Sequence, residues 1–345
     1  MQRRQFLEAL AAAPVLLSTA GFAARSNYAT TVTSLAERTQ ALYHDPELAR
    51  VIADRLMAGL RAGKFAAAAS PDQLAGLMNE EIQAAAHDMH FMVMSGSMGD
   101  PPVPPTPPHG APPPLSPAEL GHLRDVNFGI EAAEILPGNI ARMAISQFYR
   151  PVGEVRGKIG HAMALLADSS AMIVDLSRCP GGDPLTVALF TSYFFDQPSF
   201  VLNRFRWRNR PVQEFRTETI APGLGYGEQR PLIILISANT YSAGEEFAYN
   251  LQVLKRGVVV GRPSGGGANH ALPVQIAGGF VAFIPQARAE NPVTGTNWEG
   301  KGISPDITAD PAVSARVAHR AALERVAATA EQARAALARR ALAKI

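Results

Sequence analysis

Ser242 stands where an apolar run gives way to an amphipathic one. The run Pro231-Leu-Ile-Ile-Leu-Ile236 breaks at Ser237-Ala-Asn-Thr, and helical spacing begins directly after Ser242 and continues to Arg256. The pattern is therefore strand, turn, serine, helix. A hydroxyl at that junction faces free backbone N–H groups and the positive end of a helix dipole, and both favour an oxyanion developing beside it. The same serine forms an S-x-x-E capping box with Glu245, so on this pattern alone Ser242 reads as a helix cap or as a nucleophile.

Three further stretches carry chemistry. In His87-Asp-Met-His90 two histidines stand three apart, but no H-E-x-x-H and no cysteine cluster accompanies them. No metal and no cofactor is expected, and His90 is of interest as a base. Pro180-Gly181-Gly182 lies between an apolar strand and a helix, where paired glycines either free N–H groups for close approach to a ligand or make a plain tight turn. Cys179 is the single cysteine, so no internal disulfide can form; it reads as a small buried residue.

The elements that must position these groups follow from periodicity. From Thr31 to about Ala86, Leu35, Leu42, Val51, Ile52, Leu56, Leu60, Leu74, Leu77 and Ile82 recur at helical spacing, broken at Asp45-Pro46 and Ser70-Pro71, each an N-cap followed by proline. Three short helices are expected, and a strand or hairpin begins near Met94. Asp100–Pro117 holds ten prolines in eighteen residues, which forbids regular structure and marks a linker or projecting loop. Ala132–Ile145 reads as paired strands, Ile159–Ala167 as a helix, and Ala171–Leu176 as a buried strand leading to a helix over Leu185–Phe195. The strand-turn-helix unit recurs at Leu232–Gln252, which argues an α/β core. Ala271–Ile276 and Phe280–Ile284 form a hairpin, Asn297–Ile307 a turn-rich loop, and Asp310-Pro311 caps one long solvated or edge-covering helix that runs to the C-terminus.

The chain of 345 residues, 47% hydrophobic and 18% charged, suits one large or two modest domains. A net charge of +2 gives no electrostatic reason for a nucleic-acid partner. Residues 1–24 read as a cleaved signal: Arg3-Arg4-Gln-Phe6-Leu7, an apolar run to Leu17 too short to span a bilayer, and an A-x-A-like end at Ala23-Ala24. The paired arginines resemble a twin-arginine signal, so an exported, periplasmic protein with no stable membrane span after signal removal is expected. The expected division is 1–24 signal, 25–99 helical domain, 100–117 linker or loop, 118–310 core and 311–345 C-terminal helix.

Four landmarks in order resemble the tail-specific, or carboxyl-terminal processing, serine peptidases, especially the interphotoreceptor retinoid-binding-protein-like branch. They are Asp175-Leu176 with Gly181-Gly182, Thr240–Ala248 around Ser242, Val260-Gly261 with Gly265-Gly-Gly267, and Glu299-Gly-Lys-Gly302-Ile-Ser-Pro305-Asp306. The resemblance implies a crotonase- or Clp-protease-like core of strand-strand-helix units, Ser242 as nucleophile, the N–H groups of Gly181 and Ala243 as an oxyanion hole, and a peptide or unfolded polypeptide as substrate. The lysine that many members pair with the serine is replaced here by Gly267, and Lys255, thirteen residues along the same helix, lies about 20 Å from Ser242. Tricorn-like relatives use a histidine and a glutamate instead, which map to His90 and Glu299, although Met89 replaces the serine that precedes that histidine. His270, beside the glycine-rich turn, is the alternative base. No peptide-binding PDZ module is visible. An alternative class is a non-catalytic binder of apolar ligands, as the retinoid-binding resemblance allows, or an inactive scaffold.

Overall fold

The computed structural model describes residues 15–16, 28–98, 115–329 and 331–345. The signal segment, apart from Val15–Leu16, and the proline-rich stretch up to residue 114 lie outside the described residues. The N-terminal part holds α1 (Tyr28–Leu42), α2 (Pro46–Arg61), α3 (Pro71–Ala86) and β1 (Met92–Ser95). Then come α4 (Pro117–Asp125), β2 (Ile130–Leu136), β3 (Ile140–Ile145), α5 (Gly153–Leu165), β4 (Ala171–Asp175) and α6 (Pro184–Ser192). Next are β5 (Val201–Trp207), β6 (Gln213–Arg216), β7 (Leu232–Ile236), α7 (Ala243–Val253) and β8 (Val258–Gly261). The chain closes with β9 (His270–Ile276), β10 (Phe280–Glu290), β11 (Ile307–Thr308), α8 (Ser314–Thr329) and α9 (Gln332–Leu342).

The first sheet has the order β11-β8-β7-β4-β3-β2 and is parallel except for the β2–β3 hairpin at its edge. Its central strands β4 and β7 are buried at every position, as near-continuous Ile, Leu and Val runs covered on both faces must be. Ile173, Ile233, Leu235 and Val260 pack on one face against Ala318, Ala322, Leu323 and Val326 of α8 and Ala338 and Ala341 of α9. On the other face Val174, Ile234 and Ile236 meet α5, α6 and α7 through Val155, Ile159, Val187, Phe190, Phe247 and Leu251. The single C-terminal helix expected from the sequence is thus two helices, and they cover a sheet face rather than an edge. Small alanines let them approach the sheet closely, which alanine-rich composition alone does not distinguish from a solvated helix.

The second sheet is antiparallel, in the order β9-β10-β5-β6. One edge of β10 pairs with β9 from Phe280 to Ala287, while the other pairs with β1 over Phe280–Phe283 and with β5 over Ala287–Glu290. The segment 201–216 carries no strand expectation from the sequence. Its strands are obscured by arginines that pair across the ladder, Arg204 with Glu214 and Arg206 with Glu290, and by a register shift between Val201 and Asn203.

The three N-terminal helices form as their caps dictate: Asp45 Oδ1 accepts from the N–H groups of Glu47 and Leu48, and Ser70 Oγ from that of Gln73. Their apolar face does not close on itself. Leu35, Ile52, Leu56, Leu74 and Ile82 share one core with Ile276, Phe280, Ala282 and Ile284 of β9 and β10, so this region is built onto the second sheet.

Candidate active site

Ser242 has φ 51° and ψ −119°, a conformation a non-glycine residue holds only when its surroundings over-determine it. They do so here. The turn before it is tied to the loop after β4: Thr240 Oγ1 donates to the carbonyl of Leu176 (2.8 Å), Ser237 Oγ to that of Ser177 (2.6 Å), and the Tyr241 N–H to that of Cys179 (3.0 Å). Gly244 is needed because a Cβ there would lie 2.9 Å from the Cys179 carbonyl oxygen. Cys179 is buried, and burial pushes its thiol up to about 12, so it packs as the sequence suggested and is no nucleophile at neutral pH.

Glu245 fixes the serine to the glycine-rich turn. Its carboxylate accepts from the N–H groups of Ser242 (2.9 Å), Gly266 (2.7 Å) and Gly267 (2.9 Å) and from Ser264 Oγ (2.5 Å). Burial still raises its pKa to about 7 against these four bonds. The capping contact the sequence offered is therefore made through the serine backbone, and the Ser242 hydroxyl lies 3.1 Å from His90 Nε2.

His90 reaches Ser242 from 152 residues away because β1 begins two residues after it and pairs with β10. The opposite edge of β1 is held by Asn79, whose side chain accepts from the Val93 N–H (2.7 Å) and donates to its carbonyl (2.9 Å). Asp88 fixes the histidine backbone, accepting the His90 N–H at Oδ1 (3.0 Å), while its Oδ2 accepts from Tyr43 and Asn269, each at 3.0 Å. Burial lowers the His90 pKa to about 3, with a smaller push from His270, so the ring is neutral at neutral pH. The Tyr241 hydroxyl lies 3.4 Å from its Nδ1.

Gly181 approaches the serine closely: a Cβ on it would sit 2.8 Å from Ser242 Cβ and 3.3 Å from Oγ. Its loop is clamped by the Phe148 N–H donating to the Gly181 carbonyl (2.9 Å) and the Asp183 N–H donating to that of Phe148 (2.7 Å). Neither the Gly181 nor the Ala243 N–H has an acceptor among the described residues, and Ala243 opens α7, whose dipole adds positive potential there.

Glu299 accepts at Oε2 from the N–H groups of Ala268 (2.6 Å) and Asn269 (2.8 Å). Its Oε1 is buried with no hydrogen-bond partner among the described residues, and burial followed by the Asp88 charge pushes the carboxyl up to about 8. Ligating atoms of Asp88, His90 and Glu299 lie within 4.8 Å of one another, but Asp88 and one oxygen of Glu299 already accept N–H and O–H bonds, and His90 Nε2 faces the serine. A cation would compete with all of these.

His270 is not brought to Ser242. Its ring packs against Phe205 (centroids 4.7 Å) and edge-on to Trp207 (5.5 Å) and makes no hydrogen bond to the serine among the described residues. Gly267 has no room for a side chain, since a Cβ would fall 2.1 Å from Tyr241 Cζ and 2.6 Å from His90 Cε1. The sequence does not single out Tyr241, Asp88 or Tyr43, and it marks Glu245 only as half of a capping box. The only signals were adjacency to Ser242 and His90, and the Glu245 capping box.

Residues 139–309 match the model of peptidase family S41. The fold is similar to a putative peptidase from Parabacteroides merdae (15% identity, TM-score 0.59, 88% of this chain and 97% of that one). It is also similar to a lipoprotein from Streptococcus agalactiae (13%, TM-score 0.55, 88% and 99%). A third likeness is to the tricorn protease (12%, TM-score 0.54, 82% of this chain and 34% of that one). The chain spans about half the length of some peptidases it matches, 47% of the photosystem II D1 C-terminal processing protease among them. At these identities the likeness is one of fold, an α/β architecture with N-terminal helices and a mixed-sheet core.

Proposed function

Since residues 139–309 belong to peptidase family S41, a class of serine-type peptidases, we propose that this protein hydrolyses peptide bonds through an acyl-enzyme on Ser242, with His90 in place of a lysine as general base. The observation that carries the reading is the 3.1 Å contact between Ser242 Oγ and His90 Nε2 at the N-terminus of α7. Oγ attacks the scissile carbonyl carbon as Nε2 takes its proton; the tetrahedral oxyanion is received by the Gly181 and Ala243 N–H groups; collapse expels the amine, which takes the proton back from His90. Water then repeats the sequence on the ester. Glu299 polarises the site or orients a partner. The crowding at Gly267 supports the absence of a lysine route.

The reading extends to a crotonase- or Clp-protease-like core, supported by the repeated strand-turn-helix units at β4–α6 and β7–α7. It extends also to a peptide or unfolded polypeptide substrate, and to export to the periplasm, supported by the signal-like residues 1–24. No helix among the described residues is long and apolar enough to cross a membrane.

Labelling by a fluorophosphonate probe tests the proposal. Wild type should label, Ser242→Ala should not, His90→Ala should label about 10²-fold more slowly or worse, and His270→Ala should stay within a few-fold. A folded wild type that never labels, or labelling lost with His270 and kept without His90, overturns it.

A further inference from the structure

For Nε2 of His90 to accept the Ser242 proton, the neutral ring must carry its own proton on Nδ1, and something must hold that proton there. Neither nearby carboxylate is shown doing so. Asp88 spends its hydrogen bonds on the His90 backbone, Tyr43 and Asn269, and Glu299 binds Ala268 and Asn269 through one oxygen while the other makes no hydrogen bond among the described residues. Beside Nδ1 lies the Tyr241 hydroxyl at 3.4 Å, with the two rings 4.8 Å apart and inclined at 34°.

We propose that Tyr241 is the positioning residue of this site, its hydroxyl oxygen accepting the His90 Nδ1–H and so fixing the tautomer in which Nε2 is the base. The proposal rests on the serine-peptidase reading. The direction of the bond follows from the base role of Nε2. Burial, then Glu299, Asp88 and Glu245 hold the Tyr241 pKa well above 10, so it remains a hydroxyl, whose oxygen can accept the Nδ1–H. The opposite orientation, with the phenol donating to Nδ1, would place the proton on Nε2 and leave the serine without a base.

Gly267 is the counterpart of this arrangement. A Cβ there would fall 2.2 Å from the Tyr241 hydroxyl oxygen as well as 2.6 Å from His90. Glycine at this position is thus what lets the tyrosine occupy the space between the glycine-rich turn and the histidine.

The test is Tyr241→Phe, which keeps the ring packed on His90 and removes only the oxygen, with Gly267→Ala as a second variant that displaces the same ring. Nitrogen-15 NMR of histidine-labelled protein reads the His90 tautomer without requiring activity. Wild type should show the Nδ1–H form, and Tyr241→Phe should shift the population toward Nε2–H. Its fluorophosphonate acylation rate should fall about 10²-fold, through kcat rather than KM where a peptide substrate is available. An unchanged tautomer in Tyr241→Phe, or an Nε2–H form already in wild type, overturns the proposal. A wild type that shows the Nδ1–H form yet does not label overturns the peptidase reading instead.

Discussion

Glu299 and His90 are pushed in opposite directions by the same burial, and pH separates them. The Glu299 carboxyl rises from 4.5 to about 8. Between those values the folded chain holds a proton that the unfolded chain releases, so this group's contribution to stability falls as pH rises through the window. The His90 ring falls from 6.5 to about 3, so its contribution is lost as pH falls through that lower window. Glu299→Gln keeps an oxygen for the Ala268 and Asn269 N–H groups and has no proton to lose. Its Tm relative to wild type should therefore climb by about 5–6 °C from about pH 5 to about pH 9. Thermal melts across that range check this, and a difference independent of pH would count against a protonated Glu299.

At the scale of elements, β1 carries His90, the proposed base. It is four residues long and is held by β10 on one edge and by the Asn79 side chain on the other. Gln83 Nε2 secures the approach to it, donating to the carbonyls of Asp88 (2.7 Å) and Phe91 (3.0 Å). Asn79→Ala leaves the Val93 N–H and carbonyl without these partners, a cost of about 1–3 kcal/mol. It should also lower the fluorophosphonate rate several-fold by loosening His90, although Asn79 touches neither catalytic group. Denaturant unfolding and labelling measured on one preparation read both effects; a loss of stability with an unchanged labelling rate would show that β1 does not position the base.

For the whole molecule, the proposed nucleophile and base, Ser242 and His90, come from regions joined by a common core. The helices α1–α3 cover Ile276, Phe280, Ala282 and Ile284, so residues 115–345 produced alone would expose that face and lack His90. Such a fragment should bind a hydrophobic dye, associate in sedimentation experiments and fail to label at Ser242. A monomeric fragment with a wild-type Tm would show instead that the helical part is a separable domain.

Much of this was fixed by local chemistry and so could be read from the sequence. The caps at Asp45 and Ser70, the buried runs of β4 and β7 and the serine at a strand-to-helix junction each depend on a few neighbouring residues. The contact on which the proposed role of Ser242 rests did not. It turns on where a ring 152 residues away comes to rest, which β1 and β10 decide by pairing. Tyr241 and Asp88 were equally invisible, because a phenol or a buried carboxylate acquires its role only from what lies opposite it. The arginine-rich strands of the second sheet escaped notice because their charges are neutralised across the ladder, and the paired C-terminal helices because alanine shows its value only against the sheet it lets approach. Periodicity records which face of an element is buried; only the tertiary structure decides what that face, and the groups at its ends, are buried against.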